Sequence, residues 1–471
     1  MIKFGTGGWR EIIGDNFTKK NVQKLTAGVI QKLKADGLSD KGFVIGYDRR
    51  FLSEEAARWA AEVVAGEGVV CSLINRESPT PLIMFAVETY NMPYGIAITA
   101  SHNPAIYNGV KVFMSGGRDA DEILTQEFEK YISEISSDDI VATPFDDAVE
   151  QGLIKLVDPM NDYIDSILAS VDADAIRKCG LHIVLDPMYG VSKTALQTLL
   201  LTTRCDVETI HERRDTLFGG RLPAPNVSTL GSLINFVKEK KADIGIATDG
   251  DADRLGVIDD KAVFLHPNKI LVLLYYYLLK YKGWQGAAVR SIATTHLLDK
   301  IAESFDEKCY EVPVGFKHVS AKMVETNAII GGESSGGLTV RGHIQGKDGI
   351  YAAMLLVEML AVTGLKLSEL WNEIEDKYGR FEMAERDYKF SEEKKQEIYR
   401  ILLVDKLLPE FPYEIKEVSY ADGCKVYFKN GGWIIARFSG TEPLLRIFCE
   451  MDSLRNANAV EDIFEEYLAL G

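Results

Sequence analysis

Short apolar runs, each followed at once by a polar or glycine-rich segment, recur along this chain of 471 residues. Helix-like stretches separate these runs, and such alternation is typical of layered α/β architectures. The runs read as buried strands at 43–47, 95–99, 182–185, 244–248, 328–330 and 434–438. In open α/β sheets, ligands bind in the crevice beyond the carboxyl ends of the strands. We therefore expect the polar segments that follow these runs to face one common cleft.

Length and polar interruptions indicate the domain organisation. A chain of this length contains about three domains or slightly more. A polar stretch that carries Pro144 favours the end of a first domain, and the highly charged segment 373–397 reads as a helix and linker before a small last domain. We predict α/β domains over 1–145, 146–260 and 261–375, and a smaller C-terminal α+β domain over 376–471.

Charge and composition exclude several classes of protein. The formal net charge of −17 disfavours a nucleic-acid binder, because such binding depends on Lys and Arg that neutralise phosphates. The longest apolar run, 270–279, is too short to span a bilayer and predicts a buried helix. The six cysteines form no C-x-x-C pair and read as reduced thiols. We expect a cytoplasmic protein with no membrane or nucleic-acid partner, and the sequence leaves its oligomeric state open.

The segment Thr99-Ala-Ser-His-Asn-Pro104 places a serine directly after a strand-like run. Pro104 biases the preceding Asn103 away from helix, so we expect Ser101 on an exposed loop. There it would act as a nucleophile or phosphoryl carrier, although an ordinary turn has the same composition. Lys111, close by in sequence, would accept a proton if its pKa were lowered, or would be a solvated surface residue.

The segment Asp249-Gly-Asp-Ala-Asp-Arg254 follows another strand-like run and has carboxylates at alternate positions. Three such groups can converge on one hard cation, and Mg²⁺ prefers oxygen ligands that include a phosphate. A calcium-binding EF-hand loop would need Gly at the sixth position and Glu at the twelfth, where Arg254 and Asp260 stand. We reject the EF-hand, which leaves a magnesium site or a solvated acidic turn.

Two further loops offer groups for a sugar and a phosphate. The glycine-rich segment 331–337 carries Glu333 and hydroxyls that suit sugar hydroxyls, although a surface turn fits as well. The segment 437–443 ends a strand with an arginine and then supplies hydroxyls and backbone N–H groups, a set that suits a phosphate monoester. Near Arg10 and near 317–318, cations stand beside glycine turns, which are weak signals alone.

Taken together and in this order, the motifs resemble those of the α-D-phosphohexomutase superfamily, which includes phosphoglucomutases and phosphomannomutases. The resemblance runs from Phe4 to about Arg446. It implies four domains around a central cleft, with Ser101 as the phosphoserine. It also implies that Mg²⁺ is bound by the phosphate on Ser101 and by three aspartates, Asp249, Asp251 and Asp253.

The resemblance assigns further roles to this chain. It implies proton transfer and charge stabilisation by Lys111, His102 and Arg10, and it places Arg254 with them in the catalytic group, beside the metal centre. It implies substrate contacts, to the sugar and to a non-reacting phosphate, by Lys317, His318, Glu333, Ser335, Arg437, Ser439, Gly440 and Thr441. The expected reaction interconverts hexose 1-phosphate and hexose 6-phosphate, with a sugar 1,6-bisphosphate as intermediate and activator.

The sugar preference is less constrained than the reaction. The loop reads Gly-Glu-Ser-Ser-Gly-Gly at 332–337, which departs from the forms of the phosphomannomutase/phosphoglucomutase and phosphoglucosamine mutase subgroups. The segment 346–349 resembles the phosphoglucomutase and phosphopentomutase side. We expect glucose phosphate, then mannose phosphate, with phosphopentomutase or phosphoglucosamine mutase specificity as alternatives. A non-catalytic sugar-phosphate-binding protein is another reading, and a serine hydrolase is disfavoured because no G-x-S-x-G surrounds Ser101.

Overall fold

The structure is a computed structural model of the chain and describes residues 2–5, 7–438 and 444–470. Within these ranges the strands form four successive sheets, each with its own helices. The first three sheets mix parallel and antiparallel pairs, and the fourth is antiparallel. The predicted architecture of three α/β units followed by a smaller α+β unit is confirmed.

The first unit surrounds a mixed sheet. Its elements are β1 (Trp9–Ile12), α1 (Lys19–Ala35), β2 (Phe43–Tyr47), α2 (Ser53–Gly66), β3 (Cys71–Glu77), α3 (Thr80–Thr89), β4 (Tyr94–Ile98), β5 (Tyr107–Met114), β6 (Arg118–Asp119), α4 (Glu122–Glu134), α5 (Phe145–Glu150) and β7 (Ile154–Val157). The strand order is β1-β5-β4-β2-β3-β7, with β6 paired to β5. Because β4 is fully buried and central, the loop that follows it starts at the edge where ligands bind.

The second and third units repeat this plan on smaller sheets. The second contains α6 (Met160–Ser170), α7 (Ala173–Cys179), β8 (His182–Asp186), α8 (Lys193–Thr202), β9 (Asp206–Thr209), α9 (Gly231–Lys240), β10 (Ile244–Thr248), β11 (Leu255–Ile258) and β12 (Phe264–Leu265). The third contains α10 (Pro267–Lys280), β13 (Ala288–Ser291), α11 (Leu297–Ser304), β14 (Cys309–Val312), α12 (Phe316–Thr326), β15 (Ile330–Gly332), β16 (Leu338–Val340), α13 (Gly349–Thr363) and α14 (Leu367–Tyr378). The orders are β12-β11-β10-β8-β9 and β14-β13-β15-β16.

The fourth unit is smaller and has a separate core. It contains β17 (Glu382–Lys389), α15 (Glu392–Tyr399), β18 (Ile415–Ser419), β19 (Cys424–Phe428), β20 (Trp433–Phe438), β21 (Leu444–Met451) and α16 (Leu454–Leu468). Its order is β17-β21-β20-β19-β18. The segment 373–397, predicted as helix and linker, instead contains strand β17. Its charged side chains misled the prediction, because β17 alternates and pairs with β21 along its whole length.

Apolar helices join the first three units. Helices α10 and α13 are buried along nearly their whole length, as the apolar run 270–279 predicted for the first of them, and they share one core with parts of all three sheets. The fourth unit meets the third at a separate apolar cluster, which includes Ile292 and Trp433. Among the described residues, no single helix is long and apolar enough to cross a membrane, and only the bent pair α13–α14 passes on combined length and composition.

The sheets extend past two of the boundaries predicted from sequence. Strand β7 pairs with β3 in the first sheet although it lies beyond residue 145. Strand β12 pairs with β11 in the second sheet although it lies beyond residue 260. We therefore propose domain boundaries near residues 158, 266 and 379. Among the described residues, no strand before one of these positions pairs with a strand after it.

Candidate active site

Ser101 lies on a loop that starts at the end of β4 and is turned towards the second unit. Its backbone is left-handed, with φ of 51°, and the residue is 1% exposed. Its Oγ donates a 2.8 Å hydrogen bond to Asp249 Oδ2 and lies 3.3 Å from His102 Nδ1. The expectation of an exposed loop was wrong, because the acidic loop of the second unit covers the serine.

The three aspartates follow β10 and turn back at Ala252, whose φ is 62°. Each is fully buried, and one ligand oxygen from each lies within 4.8 Å of the others. Thr80 Oγ1 donates to Asp251 Oδ2 at 2.7 Å, and Arg254 N donates to Asp249 Oδ1 at 3.0 Å. The converging group is an aspartate triad, which we define as Asp249, Asp251 and Asp253.

Two lysines compensate the charge of the aspartate triad. Lys111 on β5 is buried, and its Nζ donates 2.6 Å hydrogen bonds to Asp251 Oδ2 and Asp253 Oδ2. Lys347 Nζ lies 2.8 Å from Asp253 Oδ2, and Arg254 Nε lies 3.9 Å from the other oxygen of the same carboxylate. The triad and its cations come from all of the first three units, so the tertiary structure is needed to assemble them.

Burial and neighbouring charges shift the pKa values at this centre. Burial, with repulsion from Asp251 and Asp253, raises the pKa of Asp249 well above its ordinary value. Although burial opposes its charge, the same two carboxylates raise the pKa of Lys111, so the lowering considered from sequence is not found. Arg254, burial and Arg10 lower the pKa of His102 well below its usual range, which leaves a neutral imidazole.

The residues fit a divalent cation. Among the described residues, Asp251 Oδ1 and Asp253 Oδ1 are buried without a hydrogen-bond partner. Buried carboxylate oxygens are costly unless paired or bound to a metal, and oxygen is the ligand that Mg²⁺ prefers. The triad therefore has the donor set, the closeness and the unsatisfied oxygens that a magnesium site requires.

Arg10 joins the same centre through the serine loop. Its Nη1 donates to Asn103 Oδ1 at 2.8 Å, and its remaining donors reach the carbonyl of Gly7. A cavity of about 380 Å³ lies beside Lys111 and extends to Lys317 of the third unit. The structure thus brings the residues predicted as catalytic or metal-binding to one place, and Lys111 connects them to this cavity.

The predicted substrate residues that the structure describes belong to the third and fourth units. Buried Glu333 accepts a 2.8 Å hydrogen bond from Gly315 N, beside Lys317 and His318, and burial raises its pKa. Lys317 Nζ lies 3.5 Å from Glu122 of the first unit. Ser335 is exposed, and Ser439, Gly440 and Thr441 lie outside the described residues.

Sequence reasoning missed two residues that complete these groups. Lys347 stands in the segment 346–349, which the sequence linked only to the choice of sugar. A lysine between the glycines at 346 and 349 was the available signal. Asp422 Oδ2 accepts hydrogen bonds from Arg437 Nε at 2.7 Å and from Val314 N at 2.8 Å. It therefore links the arginine of the fourth unit to the third unit, and nothing in its local sequence marks it.

Family models match nearly the whole chain. The models describe phosphoglucomutase/phosphomannomutase alpha/beta/alpha domain I over residues 1–139, domain II over 161–262, domain III over 266–378, and the C-terminal domain over 380–466. The fold and these matches define an isomerase that works as an intramolecular phosphotransferase. The chain belongs to the α-D-phosphohexomutase superfamily, and within it to the phosphoglucomutase/phosphomannomutase family.

Relatives of similar length carry two kinds of name. The chain is 33% identical to a phosphoglucomutase/phosphomannomutase from Thermococcus kodakarensis, over 99% of this chain and 97% of that protein. It is 30% identical to a probable phosphoglucosamine mutase from Pyrococcus abyssi, over 98% of this chain and 97% of that protein. The comparison therefore establishes the family and leaves the sugar open.

Solved structures share the whole architecture. A putative phosphomannomutase from Thermus thermophilus superposes with a TM-score of 0.86 at 28% identity, covering 99% of both chains. Parafusin from Paramecium, a phosphoglucomutase in its open form, gives a TM-score of 0.84 at 21% identity, covering 99% of this chain and 95% of that chain. At that lower identity the likeness concerns the fold alone.

Proposed function

We propose that the chain interconverts hexose 1-phosphate and hexose 6-phosphate through a phosphorylated Ser101, with glucose phosphate favoured and mannose phosphate next. One observation carries the proposal: Ser101 Oγ lies 2.8 Å from Asp249 Oδ2, although 148 positions separate the two residues. A phosphoryl group attached to Ser101 Oγ would lie next to the aspartate triad and Lys111, where those residues could act on it.

Asp249, Asp251 and Asp253 would hold Mg²⁺ together with the phosphate on Ser101. When bound, the ion neutralises charge on the phosphoryl group during transfer, which is the main demand of this chemistry. Inhibition of turnover by a chelator, with recovery on addition of Mg²⁺, is the expected behaviour.

The proposed cycle consists of two balanced phosphoryl transfers. In the first, the bond between phosphorus and Ser101 Oγ breaks while a sugar hydroxyl of the hexose 1-phosphate forms the new bond and loses its proton. The resulting sugar 1,6-bisphosphate turns over in the cleft and returns its other phosphoryl group to Ser101 Oγ, which leaves hexose 6-phosphate. The bisphosphate also explains the expected activator, because it can phosphorylate an enzyme that has lost its phosphate.

His102 and Lys111 are the two candidates for proton transfer. His102 Nδ1 lies 3.3 Å from Ser101 Oγ, whereas Lys111 Nζ already donates to two carboxylates. This arrangement supports His102 as the group that exchanges a proton with the reacting oxygens. Lys111, with Arg10 and Arg254 nearby, then supplies positive charge to the transferring phosphoryl group.

The outer residues are proposed to recognise the substrate in both of its orientations. Glu333 would accept hydrogen bonds from sugar hydroxyls, Lys317 and His318 would contact the sugar phosphate, and Arg437 would bind the phosphate that does not react. Ser335, Ser439, Gly440 and Thr441 complete the predicted set. Closure of the fourth unit over the cleft would exclude water from the phosphoserine.

Two sequence features bear on the sugar and on the location. The loop at 332–337 departs from the common subgroup forms, and relatives are named both phosphoglucomutase/phosphomannomutase and phosphoglucosamine mutase, so glucosamine phosphate is the alternative after glucose and mannose phosphates. A non-catalytic role is disfavoured, because Ser101, Lys111, the aspartate triad and Arg254 are all present. The cysteines Cys71, Cys179, Cys205, Cys309, Cys424 and Cys449 are free thiols, which supports a cytoplasmic location.

A mutase assay tests the proposal. The 1-phosphates of glucose, mannose, glucosamine and ribose are supplied with Mg²⁺ and a trace of sugar bisphosphate, and turnover is measured for the wild type and two variants. Ser101→Ala is expected to lose nearly all turnover, and Asp251→Asn to lose both rate and Mg²⁺ dependence. Ser133→Ala, at an exposed serine of α4, is the matched control and should be unchanged. Wild-type rates in Ser101→Ala would overturn the proposal.

A further inference from the structure

Arg50 is a buried arginine outside the residues discussed so far. It stands just beyond the end of β2, and its side chain is 0% exposed. A guanidinium is removed from water at high cost unless its charge and its donors are satisfied. The hydrogen-bond partners of Arg50 therefore indicate which part of the structure the buried guanidinium stabilises.

Those partners are the backbone carbonyls of the serine loop. Nη2 donates to the carbonyls of Ser101 and Asn103, both at 2.7 Å. Nη1 donates to the carbonyls of Pro104, at 2.9 Å, and Tyr107, at 3.1 Å. One side chain thus contacts the loop from the serine to the first residue of β5.

A second set of contacts fixes the serine from its amide side. Asp48 Oδ2 lies 3.4 Å from Arg50 Nε and accepts a 2.6 Å hydrogen bond from Thr99 Oγ1. Thr99 Oγ1 in turn accepts a 2.9 Å hydrogen bond from Ser101 N. Asp48 therefore balances the charge of Arg50 and connects it to both ends of the Ser101 residue.

The loop needs such support because its conformation is unfavourable. Ser101 has a positive φ, which residues with a Cβ rarely adopt. The second unit closes the other side: the ring of Phe218 stacks 4.9 Å from the guanidinium, and a Cβ at Gly250 would lie 2.6 Å from Ser101 O. The serine is held between Arg50 and the loop that carries the aspartate triad.

We infer that Arg50 is a positioning residue for phosphoryl transfer, which holds the loop so that Ser101 Oγ meets the aspartate triad. The inference rests on the proposed function. An arginine is required because its planar fork presents donors in two directions to four separate acceptors. A lysine carries the same charge on a single nitrogen and cannot reach them all.

The test compares Arg50→Lys with Arg49→Lys. Arg49 is the adjacent arginine, but its partners are Glu77, at 2.9 Å, and the carbonyl of Glu212, at 3.2 Å. Arg50→Lys is expected to lower kcat about 100-fold with KM changed less than about 3-fold, because small misplacements of reacting groups reduce turnover without weakening substrate binding. Arg49→Lys should keep kcat within about twofold.

A second measurement reads the loop without turnover. In hydrogen exchange, peptides covering 99–108 should lose protection in Arg50→Lys but not in Arg49→Lys, while the melting temperature stays close to that of the wild type. If Arg50→Lys does not fold, Thr99→Val breaks the link from Asp48 to Ser101 N in a near-isosteric way, and a selective fall of about tenfold in kcat is expected.

A kcat of Arg50→Lys within threefold of the wild type would overturn the inference, as would unchanged exchange over 99–108. A fall in kcat of Thr99→Val that merely follows a loss of folded protein would do the same. If the wild type itself shows no mutase activity, the proposed function fails, and the exchange measurement still decides whether Arg50 holds the loop.

Discussion

Lys111 and Lys425 are the most deeply buried lysines among the described residues; the first lies in the candidate active site and the second where the third and fourth units meet. Lys111 donates to Asp251 and Asp253, both at 2.6 Å. Lys425 on β19 donates to Glu311 Oε2 at 2.9 Å and to the carbonyl of Ile292 at 2.6 Å. Both side chains are almost fully removed from water, so burial alone would push both towards the neutral form.

Neighbouring charges send the two lysines in opposite directions. Despite burial, the two carboxylates raise the pKa of Lys111. Burial, reinforced by Arg290, lowers the pKa of Lys425 to about 7, because Arg290 Nη1 takes the same Glu311 oxygen at 2.6 Å. The balance of acids and cations therefore favours the charged form of Lys111 and disfavours the charged form of Lys425.

The largest difference is expected in turnover. Lys111→Met removes the charge that we propose stabilises the transferring phosphoryl group, and it leaves Asp251 and Asp253 without the cation they share. We expect kcat to fall at least about 100-fold. Lys425→Met makes the same substitution at the contact between the third and fourth units and should keep kcat within about fivefold. Steady-state kinetics at saturating substrate measures both, and equal losses would show that the comparison is wrong.

The next difference is expected in stability against pH. Folded protein releases the Lys425 proton near pH 7, whereas the unfolded chain keeps it until about pH 10.5. Between these values the unfolded state binds more protons, so the wild type gains stability relative to Lys425→Met as pH rises. Melting temperatures measured from pH 6 to 10 should show this gain, of several degrees.

Lys429→Met is the control for the pH experiment, since this exposed lysine of the same unit pairs only with Glu414 among the described residues. Its melting temperature should follow that of the wild type across the range. A Lys425→Met curve that also stays parallel to the wild type would mean that Lys425 is charged in the folded state throughout.

The smallest effect is expected at the outer link between the same two units. Asp422 and Arg437 are each about one-fifth exposed, and ion pairs of this kind contribute about 0–1 kcal/mol. Asp422→Asn keeps an oxygen for the amide of Val314 and loses only the charge. We expect the free energy of unfolding in urea to fall by less than about 1 kcal/mol. If the free energy of unfolding fell by more than about 2 kcal/mol, this ion pair would contribute as much as a buried one.

Local sequence predicted the elements well where one pattern dominated. The runs at 43–47 and 244–248 are strands with those bounds. The strand predicted at 328–330 instead spans Ile330–Gly332. Its two glycines carry no side chain, which lets α12 and α10 pack against the sheet at this point. The charged segment around β17 misled the prediction, since a strand with one solvent face can carry many charges.

The sequence by itself determined the chemistry that this protein can perform: a serine in a turn, three alternating carboxylates, and the cations and glycine loops that suit a phosphate. Tertiary structure alone decided that Lys347 and Lys111 share Asp253, that Arg50 lies behind the serine loop, and that two buried lysines differ in pKa. The physical reason is that residue types set which interactions are available, whereas burial and charge balance depend on neighbours that the chain brings together from distant positions.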